Sequence, residues 1–184
     1  MIILGIDPGL SNTGWGLVER TGSRLRCLGY GCVTTNPAEE TSRRLKIVHD
    51  SLADVIATYR PVALAIETLF FNANVRTAFA TGQARGAALL AAAQADLEVG
   101  EYGPSEVKLA VVGSGSADKR QVQYMVRAIL DLAEEPKPDH AADALALALC
   151  YRTAPAGVSA VRGATAGWTA AVERAERRAA GERR

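Results

Sequence analysis

Residues 2–18, IILGIDPGLSNTGWGLV, read as an apolar strand that ends on an acid and turns back through glycines into a second strand. Residues 2–6 make the first strand, Pro8-Gly9 and Asn12 to Gly14 supply turn chemistry, and residues 15–18 make the return. Asp7 therefore stands at the carboxyl end of a central strand, where open α/β sheets bind their ligands. A carboxylate in that place holds a metal ion, faces a phosphate or caps its own turn. The opening alone leaves these alternatives open.

Outward from this hairpin, residues 24–34 carry Leu25, Cys27 and Val33 among glycines and read as a third strand that completes an antiparallel meander. Residues 38–59 follow as an amphipathic helix with Leu45, Val48, Leu52, Val55 and Ile56 on one face and Arg43, Arg44, Lys46 and Asp50 elsewhere. Beyond Pro61, residues 62–66 are a short continuous apolar run, the pattern of a parallel strand buried on both faces, and it ends on Glu67. Residues 75–95 form a helix rich in Gly and Ala, suited to close approach as a core helix or a subunit interface. A fifth strand over 97–102, a short helix over 104–111 and the Gly113 to Ser116 loop come next. Asp118 with Gln121 makes a capping box for a helix over 119–132. Pro136 and Pro138 break the chain, and Asp139 caps a last helix that runs to about Arg152. This order gives an α/β fold of ribonuclease-H-like topology: a mixed five-stranded sheet, its first three strands antiparallel, with helices on both faces.

The 184 residues are 48% hydrophobic and 22% charged, enough for one full core. The expected division is a ribonuclease-H-like domain over 1–153 and a disordered Ala/Gly/Arg-rich tail over 154–184. With no long uncharged apolar stretch and no signal-like start, a soluble, cytoplasmic protein is expected. Three cysteines without CxxC spacing argue for reduced thiols and against structural zinc. The net charge of +1 combines a tail at +3 with a domain at −2, so a nucleic-acid surface on the domain has to come from local clustering.

The last helix contains DHAADALALALC, which sets His140 and Asp143 three apart on one face. An aspartate in an apolar helix needs a partner, because an unpaired buried charge costs several kcal/mol. Asp7, Glu67, His140 and Asp143 come from two strand ends and one helix start, which this topology gathers at the carboxyl edge of the sheet. Such a set suits two divalent ions about 3.5 to 4 Å apart, one activating water and the other stabilising the leaving oxygen of a phosphodiester. The competing explanation is a helix cap plus surface acids.

Four segments, GIDPGLSNTGWG, IETLFFNANVRTAFATGQARG, PSEVKLAVVGSGSADKRQVQYMV and DHAADALALAL, together resemble the RuvC family of Holliday-junction resolvases over residues 1 to about 152. The resemblance implies a homodimeric, Mg²⁺-dependent endonuclease that nicks two opposed strands of four-way junction DNA and leaves 5′-phosphate and 3′-hydroxyl ends. It implies Asp7, Glu67 and Asp143 as metal ligands of two ions, and His140 at a fourth position where some members carry Asp. An imidazole ligand favours softer ions such as Mn²⁺ and binds only when neutral, so activity is expected to fall toward about pH 6.5 and Mn²⁺ to serve at least as well as Mg²⁺.

The resemblance further implies that Lys108 and Lys119 approach the scissile phosphate, and that Phe70, with Phe71 as support or partner, stacks on an unpaired base at the junction centre. Arg76 and Arg85, on the small-residue helix, and Arg120, beside Lys119, are candidate phosphate contacts, with a plain solvated face as the competing explanation. A branch-migration motor, RuvA–RuvB, is the implied partner. Actin-like and sugar-kinase ATPases share the strand-Asp-x-Gly opening, but this chain has no second such turn. Another ribonuclease-H-like nuclease or a DNA-binding module with a degenerate site are the remaining alternatives.

Overall fold

Alternation along β1 (Ile2–Asp7) decides how the layers assemble. Leu4 and Ile6 point to one face of the sheet, Ile3 and Gly5 to the other, and both sets are buried. The computed structural model describes residues 1–68 and 75–153. Within them β2 (Asn12–Thr21) and β3 (Arg24–Thr34) complete the meander, and β4 (Ala63–Glu67) and β5 (Glu98–Tyr102) add in parallel to give the order β3-β2-β1-β4-β5. The mixed five-stranded sheet is the one expected. A register shift at Leu17/Val18 skips one residue of β3.

On one face lie α1 (Thr41–Tyr59) and α2 (Val75–Gln94), which bury Val48, Leu52, Ile56, Ala88, Ala91 and Ala92 against Leu4, Ile6, Leu17, Leu64 and Ile66. Sequence periodicity placed the α1 face correctly at these residues. Arg44, assigned there to the polar side, is buried instead. It lies one turn before Val48 on the same stripe, and its guanidinium donates to Thr35 Oγ1 and Ser11 Oγ, both at 2.9 Å. Thr35 Oγ1 in turn donates to Leu10 O at 2.5 Å. Arg44 thus braces the turn behind Asp7.

The other face carries α3 (Pro104–Val112), α4 (Lys119–Ile129) and α5 (Asp139–Thr153). Helix α5 is the central one: its residues from Ala141 to Cys150 are buried apart from Asp143. It lies so close to the β1–β2 hairpin that a Cβ on Gly5 would sit 1.9 Å from the Ala144 carbonyl oxygen, and one on Gly14 2.0 Å from that of His140. Bare backbone at these two strand positions lets the helix bearing His140 and Asp143 lie directly on the strand bearing Asp7. The close approach expected of α2 is made against α1, while Phe79 and Leu90 of the same helix stay exposed.

The predicted capping box is present, with Gln121 N donating to Asp118 Oδ1 at 2.9 Å and Asp118 N to Gln121 Oε1 at 2.8 Å. Helix α4 ends at Ile129, three residues early, where Asp131 takes a left-handed conformation at φ 51°. Among the described residues no helix is long and apolar enough to cross a membrane. Phe70, Phe71 and the tail over 154–184 lie outside the described residues.

Candidate active site

Strand parity aims the two acids. Ala65 and Ile3 face α5, so Glu67 and Asp7, two and four residues on, face it as well. The two strands run parallel and adjacent with Ile6 opposite Ile66, which leaves Asp7 and Glu67 side by side where the strands end. Helix α5 brings Asp143 over them. These three acids line one cleft of about 230 Å³ together with Lys108 of α3 and Lys119 of α4, against apolar walls that include Val107, Val122 and Leu147.

His140 stands at the edge of this group, its Nδ1 2.6 Å from Asp7 Oδ2. Lys119 Nζ bridges two acids of α5, 3.2 Å from Asp143 Oδ2 and 3.0 Å from Asp139 Oδ2. Gln123 Nε2 donates to the other oxygen of Asp139 at 3.2 Å. Asp139, expected as a helix cap, is therefore turned toward α4, where it anchors Lys119. That role left no trace in the sequence pattern, because it depends on how α4 and α5 pack.

The electrostatics mark the carboxylates as crowded. Burial pushes the Glu67 carboxyl up to about 7, and the charges of Asp7 and Asp143 add to the rise. Burial raises Asp143 too, opposed by Lys119 and reinforced by Asp7. Lys119 loses proton affinity to burial but gains more from its bond to Asp139 and the charge of Asp143, so its ammonium is stabilised overall. Perturbed groups converging in a cleft are the signature of a chemical site.

Among the described residues no three carboxylate, imidazole or thiol groups close tightly enough to grip one ion. The acids instead hold the protein's own partners, Lys119 and His140. The donor set still fits a hard divalent cation: oxygen ligands from three acids with one nitrogen beside them, and in Glu67 and Asp143 carboxyls raised by burial and then by neighbouring acid charge, a crowding that a bound cation would relieve.

Of the basic residues expected at the site, Lys108 and Lys119 reach the cleft. Arg120 is exposed on α4 and is not part of the cleft lining. Arg76 belongs to α2, but its side chain lies outside the described residues, as do Phe70 and Phe71. Arg85 turns inward: its Nε donates to the Glu67 carbonyl oxygen at 3.2 Å and its Nη2 lies 2.5 Å from Glu101 Oε2.

A family model described as crossover junction endodeoxyribonuclease RuvC matches residues 3–151. The chain belongs to the RuvC family. Crossover junction endodeoxyribonuclease RuvC of Heliobacterium modesticaldum is 57% identical over 150 residues, covering 82% of this chain and 93% of that protein. The Rubrobacter xylanophilus RuvC is 53% identical over 150 residues, covering 82% and 84%. Among solved structures, Thermus thermophilus RuvC in complex with Holliday junction substrate superimposes with a TM-score of 0.80 at 42% identity, covering 83% of this chain and 93% of that one. A fowlpox virus resolvase, at 15% identity and a TM-score of 0.54, shares the fold. The four RuvC-like segments in the sequence thus mark a true family member, and the chain is a nuclease of the crossover-junction class.

Proposed function

We propose that this chain resolves four-way DNA junctions in recombination and repair by hydrolysing phosphodiesters in the cleft among β1, β4 and α5. The observation that carries the reading is the convergence of Asp7, Glu67 and Asp143 with Lys108 and Lys119 on that one cleft. Asp7, Glu67 and Asp143, with His140 beside Asp7, are the residues that would hold Mg²⁺ or Mn²⁺, two ions per site. When bound, such ions activate water and neutralise charge developing on the phosphate.

The remaining work falls to the chain's own side chains. Lys119, kept charged by Asp139 and Asp143, and Lys108 across the cleft bind the scissile phosphate and stabilise its added charge. The Asp139 contact gives Lys119 a second carboxylate anchor besides Asp143, which would hold it in place were Asp143 to serve a metal. His140 fixes the Asp7 carboxylate through its Nδ1 contact. Phe70, with Phe71 as support or partner, stacks on an unpaired base at the junction centre, a contact of about 1 to 3 kcal/mol, and Arg76 and Arg120 contact flanking phosphates. Two copies related by a twofold axis match the near-twofold junction and cut opposed strands. A cytoplasmic site of action beside the RuvA–RuvB branch-migration complex completes the reading.

The test offers the protein, with Mg²⁺ or Mn²⁺, a mobile four-way junction, a linear duplex, an RNA–DNA hybrid and ATP. Paired symmetric nicks confined to the junction are expected. Equal cutting of duplex or hybrid would point to a general ribonuclease-H-like nuclease, and ATP hydrolysis alone would overturn the nuclease reading.

A further inference from the structure

The inward turn of Arg85 makes a three-way junction inside the protein that the cleft chemistry does not use directly. Its guanidinium joins α2, the end of β4 and the neighbouring strand β5: Nε to the main-chain oxygen of Glu67 at 3.2 Å, and Nη2 to Glu101 Oε2 at 2.5 Å. Both side chains are largely sheltered, at 17% and 28% exposure. Glu101 pairs with Ile66 in the ladder, one residue before Glu67, and Thr68 N donates to Tyr102 O at 2.9 Å just beyond it. The Glu67 carbonyl is thus held from the side while the backbone is held from behind.

We propose that Arg85, locked by Glu101, is a positioning residue that sets where the Glu67 carboxylate points in the cleft. Parity separates the two functions along one strand. The Glu67 side chain faces α5 and the acids, whereas Glu101, in register with Ile66, belongs to the α1–α2 side. Fixing the last carbonyl of β4 fixes the backbone from which that carboxylate projects. A sheltered ion pair is a poor way to gain stability, because the desolvation of two charges offsets most of the attraction and an apolar pair serves as well. What the ion pair provides is direction: a planar donor fork with one arm on a carboxylate and the other on a specific carbonyl. Misplacing a catalytic group by about 1 Å costs on the order of 10²-fold in rate.

The inference rests on the nuclease reading above, and the experiment separates the two. Arg85→Met, Arg85→Lys, Glu101→Gln and the apolar double variant Arg85→Met/Glu101→Leu are compared with the unaltered full chain in three measurements: single-turnover junction cleavage in Mg²⁺, junction affinity in EDTA, and thermal midpoint. The expected result is a 10- to 100-fold loss of cleavage rate with junction affinity within twofold. The double variant should recover the thermal midpoint but not the rate. Arg85→Lys, which keeps a charge for Glu101 but lacks the second arm, should stay slow. Wild-type rate in the double variant would overturn the proposal. So would a loss appearing wholly in junction affinity, which would make Arg85 a DNA contact, or a loss that merely tracks the unfolded fraction. If the unaltered protein fails to cut junctions while binding them, the nuclease reading fails instead.

Discussion

Glu67 carries a measurable conflict between folding and function. Its ordinary carboxyl value of 4.5 rises to about 7 in the folded protein, chiefly through burial and then through Asp7 and Asp143. The folded state therefore binds a proton more tightly than the unfolded chain does. The stability tied to that proton is fully present below about pH 4.5 and is lost as pH rises through about 7. At about 1.4 kcal/mol per pH unit, that interval sets a ceiling of about 3 kcal/mol. Glu67 is only partly buried, and solvent screening reduces the cost to about 1.5 kcal/mol. Glu67→Gln removes the ionisation and keeps the shape. Measured by calorimetry in EDTA at fixed protein concentration, the Gln variant should melt about 3 to 6 °C above the unaltered protein at pH 8, since about 1 kcal/mol moves the midpoint of a chain this size by 2 to 4 °C. The gap should close by about pH 4.5. Added Mg²⁺ should raise the unaltered protein and leave the variant nearly unmoved. The same variant should lack junction cleavage. Equal midpoints at pH 8, or a gap that persists unchanged at low pH, would refute the reasoning.

Other consequences are open to direct measurement. Mn²⁺ titrated calorimetrically at pH 6.5 in buffers of differing ionisation enthalpy should release close to one proton from the unaltered site and far less from Glu67→Gln, because the metal displaces the Glu67 proton. His140→Ala should slow junction cleavage at least tenfold in Mg²⁺ and Mn²⁺, and an unchanged rate in both metals would remove His140 from the site. Lys119→Met should lower the salt slope of junction binding by about one and the cleavage rate by at least 10²-fold, with Asp139→Asn showing a smaller loss in rate alone. Gly5→Ala, whose new Cβ meets the Ala144 carbonyl oxygen, should cost about 3 kcal/mol or more by chemical denaturation; a loss below about 1 kcal/mol would mean α5 can lift off β1 cheaply.

Much of this molecule is legible in its sequence because its signals are local. Apolar runs that stop on Asp7 and Glu67 identify two strand ends, Val48-Leu52-Ile56 identifies a helix face, and Asp118-Gln121 identifies a cap, each within one element. The convergence of Asp7, Glu67, His140 and Asp143 follows from topology once those elements are ordered. What escaped depends on contacts between elements. Arg44 and Arg85 look like surface cations until the fold shows them gripping Ser11 and Thr35, or the Glu67 carbonyl and Glu101. Asp139 has the residue type of a cap and the surroundings of an anchor for Lys119. The closeness of α5 to the sheet lies in Gly5 and Gly14, which read in sequence as a strand residue and a turn residue and do not announce that they make room for a helix.

If the acids of β1, β4 and α5 form one metal centre serving junction cleavage, metal must bind among them. Crystals of the full chain soaked in Mn²⁺ and examined by anomalous diffraction test it most directly. Anomalous density is expected within the cleft, two peaks about 3.5 to 4 Å apart at bonding distance from Asp7, Glu67 and Asp143, and none in Asp143→Asn crystals. Mn²⁺ bound only elsewhere, with the unaltered protein still cutting junctions, would contradict it.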